Sequence, residues 1–329
     1  MTTERAATSP QVLRRINAEV ILAYALSCGA FDATAAMNET GLTRSTVLGL
    51  CEELVGLGWL VKLDDARAAG EYRKGRPASR YELRPQAGHI VGVDAGQHTI
   101  SAVVADLRGA FVHGVHLPVA ETAAPDVRRE LTRTAVAQTL EAASVRTASV
   151  FATIVGVPAP VDEAGHSPSG DGDYWAAMNP GLVDAFEGLG RVVIDNDANL
   201  AAIAEQAVGA GRDVDSFAAL LSGERFGAGL VVDRQLLRGR HGGAGEMRIL
   251  DLVDGVGSTV GLGALARDLA RQARTAGTIP RSSPSGPCRR ASSPPTASSR
   301  RRAGATRRAS SSCDSSDSGW RASVSSCRA

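Results

Sequence analysis

Thr43-Arg44-Ser45-Thr46 places a hydroxyl suited to capping a helix directly before a guanidinium and two further hydroxyls. An arginine at that position is able to donate two hydrogen bonds to a guanine edge, while Ser45 and Thr46 suit phosphate or either base. The same four residues also describe a plain solvated first turn of a helix. A second basic group, Arg73-Lys74-Gly75-Arg76-Pro77, is bounded by turn residues. Gly75 and Pro77 hold such a tip narrow and extended, so Arg76, with Lys74 beside it, suits the negative potential of a minor groove. Farther along, Asp195-Asn196-Asp197 stand between a short apolar run and the helical pattern ANLAAIAEQAVGAG. Three acceptor side chains there have two uses. They cap the amides of the following helix, worth about 0.5–2 kcal/mol each, or they hold a hydroxyl-bearing ligand, whose proton a carboxylate is able to accept.

The elements around these residues divide the chain. Leu13, Ile16, Val20, Ile21 and Tyr24 recur at helical spacing, and so do Val47, Leu50, Cys51 and Leu54. The spacing predicts a helix near the N-terminus, a short one over Ala33 to Thr40, a turn at Gly41, and a helix over Arg44 to Gly56 capped by Thr43. Trp59-Leu60-Val61 and Arg80-Tyr81-Glu82-Leu83 then read as two strands of a hairpin, with the polar stretch from Asp64 to Ser79 as its long tip. This order, over residues 10–85, is that of a winged helix-turn-helix, whose natural partner is a double-stranded DNA operator read by a two-fold homodimer. From His89 onward strands alternate with helices, which predicts an α/β layer architecture over 88–280.

Composition sets the limits on function. Lys and Arg number 36 against 35 Asp and Glu, with 43% hydrophobic residues, which suits a globular chain of about two domains. The average hides a shift, because residues 281–329 hold 16 Ser, 10 Arg and 2 Asp but no Leu, Ile, Phe or Met. That tail carries +8, leaving 26 basic and 33 acidic residues before it, a net of −7. Positions 1–280 therefore give no support to wholesale nucleic-acid adhesion, and any DNA contact must come from a local patch. The tail lacks the apolar content to repay its ordering entropy, so it and residues 1–9 are expected to be disordered. Its Ser, Arg, Pro and Cys mixture is also what a GC-rich gene yields out of frame. Cys28 and Cys51 sit in apolar helical patterns and Cys288, Cys313 and Cys327 in the tail, so no disulfide framework or metal cluster is read. No signal core or run of about 18 apolar residues is visible, which predicts a cytoplasmic protein without a membrane segment.

From about Leu13 to Ala276 the sequence resembles the ROK family of bacterial repressors and sugar kinases, specifically its winged-helix regulator branch. Four segments carry the resemblance: VGVDAGQHTISAVVADLRG (91–109), GVPAPVD (156–162), IDNDANLAAIAE (194–205) and SGERFGAGLVVDRQLLRGRHGGAGEM (222–247). The resemblance implies an actin-like, ribonuclease-H-like fold behind the winged helix, with its C-terminal part incomplete here. It also implies a sugar or sugar derivative as effector, contacted by Pro158, Asn196, Asp197 and Glu246.

The same resemblance locates two phosphate loops, and both depart from the family's pattern. Asp94 and Gly96 remain in the first, but Gln97 and His98 stand where a glycine and a threonine belong. Gly227 and Gly229 remain in the second, but Glu224 and Arg225 bring charge and bulk to a place that phosphate would occupy. Asp197 is then a vestige of a catalytic base. The expectation is a regulator without enzymatic activity or cofactor, with a sugar kinase and a defective regulator that binds DNA without responding as the alternatives. Zinc is not expected, because Gly245-Glu246-Met247-Arg248 lacks the histidine that zinc-holding family members carry, and no cysteine lies between Cys51 and Cys288.

Overall fold

The computed structural model describes residues 9–63, 79–120, 122–168, 174–240, 242–247, 252–254 and 259–277. The basic group Arg73–Pro77, Arg248 and the tail after Pro280 lie outside the described residues. The chain forms two compact units, residues 1–200 with 239–243, and residues 201–238 with 244–329.

The first unit begins with three helices, α1 (Pro10–Ser27), α2 (Ala33–Thr40) and α3 (Arg44–Gly56). Each start has a local cause. Ser9 accepts from the Val12 amide ahead of Pro10, Asp32 accepts from the amides of Thr34 and Ala35 at 2.8 Å each, and Thr43 accepts from Thr46. Gly41 ends α2 in the left-handed conformation (φ 70°), which a side chain would disfavour. Three short antiparallel strands, β1 (Phe31–Asp32), β2 (Leu60–Leu63) and β3 (Arg80–Leu83), form a sheet in the order β1-β3-β2. Ile21, Ala25, Val47, Leu50, Cys51, Leu54, Leu60, Tyr81 and Leu83 fill the core between helices and sheet. The two-residue β1 was too short to be seen as a period. Leu13, Ile16 and Val20, whose spacing marked the helix, face solvent, because Ile21 and Ala25 define the packed side of α1.

Glu52, Lys62 and Tyr81 tie α3 to the sheet. The Glu52 carboxylate accepts from Lys62 Nζ at 2.5 Å and from the Tyr81 hydroxyl at 2.8 Å. These bonds lower the Glu52 pKa, while burial first and Glu52 second push the Tyr81 phenol up to about 12.

A five-stranded mixed sheet follows, built from β4 (His89–Ala95), β5 (Thr99–Asp106), β6 (Phe111–Pro118), β7 (Val150–Val157) and β8 (Arg191–Asn196). Its order is β6-β5-β4-β7-β8, with β4, β5 and β6 antiparallel and β4, β7 and β8 parallel. Helix α4 (Pro125–Ala142) makes the crossover from β6 to β7, and short helices α5 (Tyr174–Met178) and α6 (Leu182–Ala185) lie between β7 and β8. Alternate residues Val91, Val93, Ala95, Ile100, Ala102 and Val104 face the core beside Ala135, Val136 and Leu140 of α4. The α/β architecture expected from the strand and helix alternation is present.

Residues 84–88 connect this sheet to the N-terminal helices through close contact. The Trp59 indole stacks on the Phe151 ring with centroids 5.3 Å apart and planes 18° from parallel. Gly88 lies so near that ring that a Cβ there would stand 1.7 Å from a ring carbon. The Leu107 amide donates to Pro85 O at 3.1 Å, and Arg108 Nη2 to Ala25 O at 3.4 Å. The second unit carries the rest of helix α7 (Asp197–Val208), a sheet of β9 (Phe217–Ser222), β10 (Phe226–Val232) and β11 (Gln235–Leu237), and helix α8 (Leu262–Thr275). Its buried cluster is small, Ala202, Ala219 and Val231. Val231 is covered, whereas Leu220 keeps 38% of its surface exposed.

Two outcomes are expected. Gly88→Ala forces the Phe151 ring off Trp59, a loss of about 1–3 kcal/mol in denaturant melts, and adding Phe151→Ala should return part of it. Because the folded-state pKa of Glu52 lies below its unfolded value, its contribution is complete above the usual glutamate range and vanishes as pH falls through the folded pKa. Glu52→Gln should lower the melting temperature at neutral pH and leave it unchanged near pH 3; as half the side chain is solvated, the difference is at most about 1 kcal/mol.

Candidate functional site

The exposed end of α3 is the first candidate. Thr43 Oγ1 lies 3.2 Å from Ser45 Oγ and 2.9 Å from Thr46 Oγ1, so the three hydroxyls form one local network at the helix start. Arg44 and Ser45 are exposed, and Val47, Leu50, Cys51 and Leu54 anchor the opposite side. Burial pushes the Cys51 thiol up to about 11, which suits a packing residue without thiolate chemistry. Beside this end, Pro10, Leu13, Arg14 and Asn17 of α1 and Ser45, Thr46, Gly49 and Leu50 of α3 line an open cleft of about 420 Å³. Arg14 Nε donates to Glu53 at 2.7 Å across the two helices. Lys74, Gly75, Arg76 and Pro77 lie outside the described residues.

A second group forms where β4, β7 and β8 end side by side. In register, Asp94 pairs with Gly156, and Gly156 with Asp195. A Cβ at Gly156 would stand 3.3 Å from Leu200 Cδ1 and 3.6 Å from Asp197 Cα, so the strand passes close to the start of α7. Asn196 occupies the junction with α7. Its Oδ1 accepts from the amides of Ala198 (3.0 Å) and Asn199 (3.2 Å), and its Nδ2 donates to Ala159 O at 3.2 Å. Of the two uses weighed for this residue, capping is the one its Oδ1 performs, and the amide nitrogen fixes the loop that follows Pro158. Asp197 accepts from the Ala198 amide at 2.8 Å. Asp195 is buried and accepts from Asn199 Nδ2 at 3.0 Å and from the Asn196 amide at 2.8 Å. Gly242 closes on the same loop, since a Cβ there would meet Val161 O at 2.0 Å. Asp162 accepts from the amides of His166 and Ala164, which lowers its pKa and holds the loop's far side.

The first of the two glycine-containing loops has a support that the sequence reading missed. Arg128 of α4 is fully buried, and its two terminal nitrogens donate to Gly96 O at 2.6 Å and Gln97 O at 2.8 Å. Burial lowers its pKa, yet a guanidinium remains charged and offers a fork that fits two carbonyls. Pulling those carbonyls toward α4 turns the peptide planes of the loop and fixes its shape. Tyr174 donates to Gln97 Oε1 at 3.2 Å on the other side. The protein around Asp94 raises its carboxyl pKa by desolvation, and His116 opposes that rise. Helical spacing puts position 128 on the face of Thr132, Ala135 and Val136, but the residue type, an arginine, does not announce burial there. Its place opposite residues 96 and 97 gives the guanidinium its partners.

In the second unit, Gly227 and Gly229 lie within β10 rather than in an open loop, opposite Leu221 and Ala219 of β9. Glu246 forms a bridge with Gly227, and Gly245 fits there only as glycine, since its Cβ would fall 1.8 Å from Ala228 O. What remains between the strands is the turn Gly223-Glu224-Arg225, and α8 occupies it. Gly223 O accepts from the amides of Gly263 (2.9 Å) and Ala264 (3.4 Å), Glu224 O from Gly261 (2.8 Å), and Ser222 Oγ from Leu262 (3.0 Å). Arg267 makes a two-pronged ion pair with the Glu224 carboxylate. The Gly261-Leu262-Gly263 run, which sequence reading did not single out, permits this approach, because a Cβ at Gly261 would stand 2.2 Å from Gly223 O. A separate open cleft of about 620 Å³, lined by Ile203, Gln206, Ala207, Arg212, Asp213 and Arg234, contains none of the residues expected to bind ligand. Among the described residues no three His, Cys, Asp or Glu side chains are grouped to hold a metal, and no helix is long and apolar enough to cross a membrane.

Comparison with known proteins agrees with an α/β architecture built on a mixed sheet. A crystal structure of a ROK family transcriptional regulator, described as a homologue of the E. coli MLC protein, superposes with a TM-score of 0.57 over 82% of this chain and 72% of that one, at 19% identity. Residues 90–249 match the model of the ROK family. The chain is 24% identical over 239 residues to the xylose repressor of Caldicellulosiruptor bescii, covering 72% of this chain and 58% of the relative. It is 23% identical over 241 residues to the DNA-binding transcriptional dual regulator NagC of Escherichia coli, covering 72% and 57%. The chain thus spans less than two thirds of the length of the curated relatives it matches.

Replacing Arg128 by Met should leave two buried carbonyls without donors. The expected loss is about 1–3 kcal/mol in chemical denaturation, partly recovered in Arg128→Lys. An unchanged midpoint in Arg128→Met would show that the loop does not depend on this clamp.

Proposed function

We propose that the chain is a DNA-binding transcriptional repressor of the cytoplasm whose response is set by a sugar or sugar derivative. In this reading residues 10–85 are a winged helix-turn-helix, with α3 as recognition helix and residues 74–77 as wing tip. Residues 88–280 are an actin-like sensing domain, and residues 1–8 and 281–329 lie outside the described residues. The observation that carries the reading is α3. Its first turn offers Arg44, Ser45 and Thr46 at the end of a helix held from behind by Val47, Leu50, Cys51 and Leu54, which is what base-edge recognition in a major groove requires. Repressors of xylose and N-acetylglucosamine systems among the relatives support a sugar effector.

Pro158, Asn196, Asp197 and Glu246 remain the proposed sugar contacts, with Asn196 acting chiefly by fixing the loop after Pro158. Strand β7 joins that loop to Phe151, and Phe151 lies against Trp59 at the end of α3. A shift at the sugar loop therefore has a packed route to the recognition helix, and different affinity for sugar in two states supplies the switch. A kinase reading is disfavoured by the second loop. Its turn meets the α8 amides, and the Glu224 carboxylate, paired with Arg267, brings negative charge where the resemblance would put a phosphate.

The test is selection of bound genomic fragments by purified protein, followed by salt-matched titrations with and without D-xylose or N-acetylglucosamine. A discrete palindrome is expected, with Arg44→Ala weakening it by about 1–3 kcal/mol, roughly 5- to 150-fold. Binding indifferent to sequence would sink the regulator reading, and ATP-dependent phosphorylation of either sugar would favour the kinase.

A further inference from the structure

We infer that the outward face of α1 pairs with α1 of a second copy of this chain. The inference deepens the repressor reading and rests on it for the choice of a second copy as occupant. Helix α1 has two apolar faces on opposite sides. One carries Ile21 and Ala25, both fully buried in the N-terminal core. The other carries Val12, Leu13, Ile16, Val20 and Ala23, which fall within about 100° of arc on a helix of 3.6 residues per turn. Val12, Leu13, Ile16 and Val20 remain 47%, 49%, 46% and 37% exposed. Four large aliphatic side chains aligned along one helix form a continuous patch rather than scattered surface residues.

The charge pattern selects the occupant. Arg15 and Glu19 lie along one edge of the patch, 3.1 Å apart within the helix. Turning the helix over about a two-fold axis between Ile16 and Val20 sets Ile16 against Val20 of the second copy and Leu13 against Ala23. The same operation sets Arg15 and the second copy's Glu19 on the same edge of the pair, offset along the helix axis by about two residues' rise, roughly 3 Å, within reach of their long side chains. The patch is thus complementary to itself in both shape class and charge, as an isologous contact requires. The contact also has a consequence for DNA. The α1 residues Pro10, Leu13, Arg14 and Asn17 border the exposed start of α3, so pairing α1 with its copy fixes the spacing of the two recognition helices. One helix pair is smaller than the roughly 800 Å² per partner of a stable interface, so association is reversible at micromolar concentrations and strengthens on a two-site operator.

Sedimentation equilibrium of the full chain and of Ile16→Glu with Val20→Glu tests this. Both positions are solvated, so helix content by circular dichroism should match in the two proteins. A reversible dimer in the parent and a monomer across the same concentrations in the variant are expected. A parent that stays monomeric, or a variant that dimerises as the parent does, overturns the inference. Titrations on a single half-site and on the palindrome separate this from the regulator reading. The variant should hold the half-site within about twofold of the parent while losing at least about tenfold on the palindrome, a coupling of about 1.4 kcal/mol. Absence of half-site binding by the parent would remove the regulator reading and leave the sedimentation result to decide the pairing.

Discussion

Parallel pairing of β4, β7 and β8 is the constraint on which the candidate ligand site depends. Parallel strands end on the same side of a sheet, and their crossovers leave that edge lined by the loops that follow. Asp94, Gly156 and Asp195 fall in one row across these strands. The loops after them, at Gly96, Pro158 and Asn196, therefore share an edge although about 60 residues separate Asp94 from Gly156 and 40 separate Gly156 from Asn196. Asn196 then locks two of these loops together by capping α7 with its oxygen and holding Ala159 with its nitrogen. A residue that does both is costly to replace, since a buried amide without partners loses about 1–3 kcal/mol.

The first unit adds two unusual supports. A fully buried arginine holds the Gly96–Gln97 carbonyls, a use in which the fork geometry of the guanidinium matters more than its charge. Phe151, on the outer end of β7, is gripped between Trp59 and the bare backbone of Gly88. That contact places the N-terminal helices and the five-stranded sheet in direct packing across a connection of only five residues, 84–88. The strand that carries the loop after Val157 is also the strand that carries Phe151, so the coupling proposed above needs no long chain of intermediates.

The second unit solves a different problem. Helix N-termini and glycine turns attract anions because their amides point outward unpaired. Here the turn Gly223–Arg225 and the start of α8 satisfy one another, and Arg267 neutralises Glu224. The amides at the start of this helix are therefore met by the protein's own carbonyl and hydroxyl oxygens.

Local chemistry was legible in the sequence wherever a short-range rule governed it. Thr43 as cap, the limits of α2 and α3, the two longer strands of the N-terminal sheet, and the strand leading to Asn196 all follow from capping hydroxyls, glycine and apolar period, which act over a few residues. Motif resemblance also located the segment that matches the ROK family model, residues 90–249. Other features depended on distant partners. Position 128 became a clamp only because α4 packs over residues 96 and 97, Gly88 became indispensable only because Phe151 lies on it, and Glu224 found Arg267 from 43 residues away. The apolar period of α1 announced a helix but not which apolar residues it buries, since two faces satisfied the same spacing. Tertiary packing decided that Ile21 and Ala25 turn inward and that Leu13, Ile16 and Val20 turn to solvent. A single helix has room for one side against its own sheet, and periodicity carries no information about which side that is.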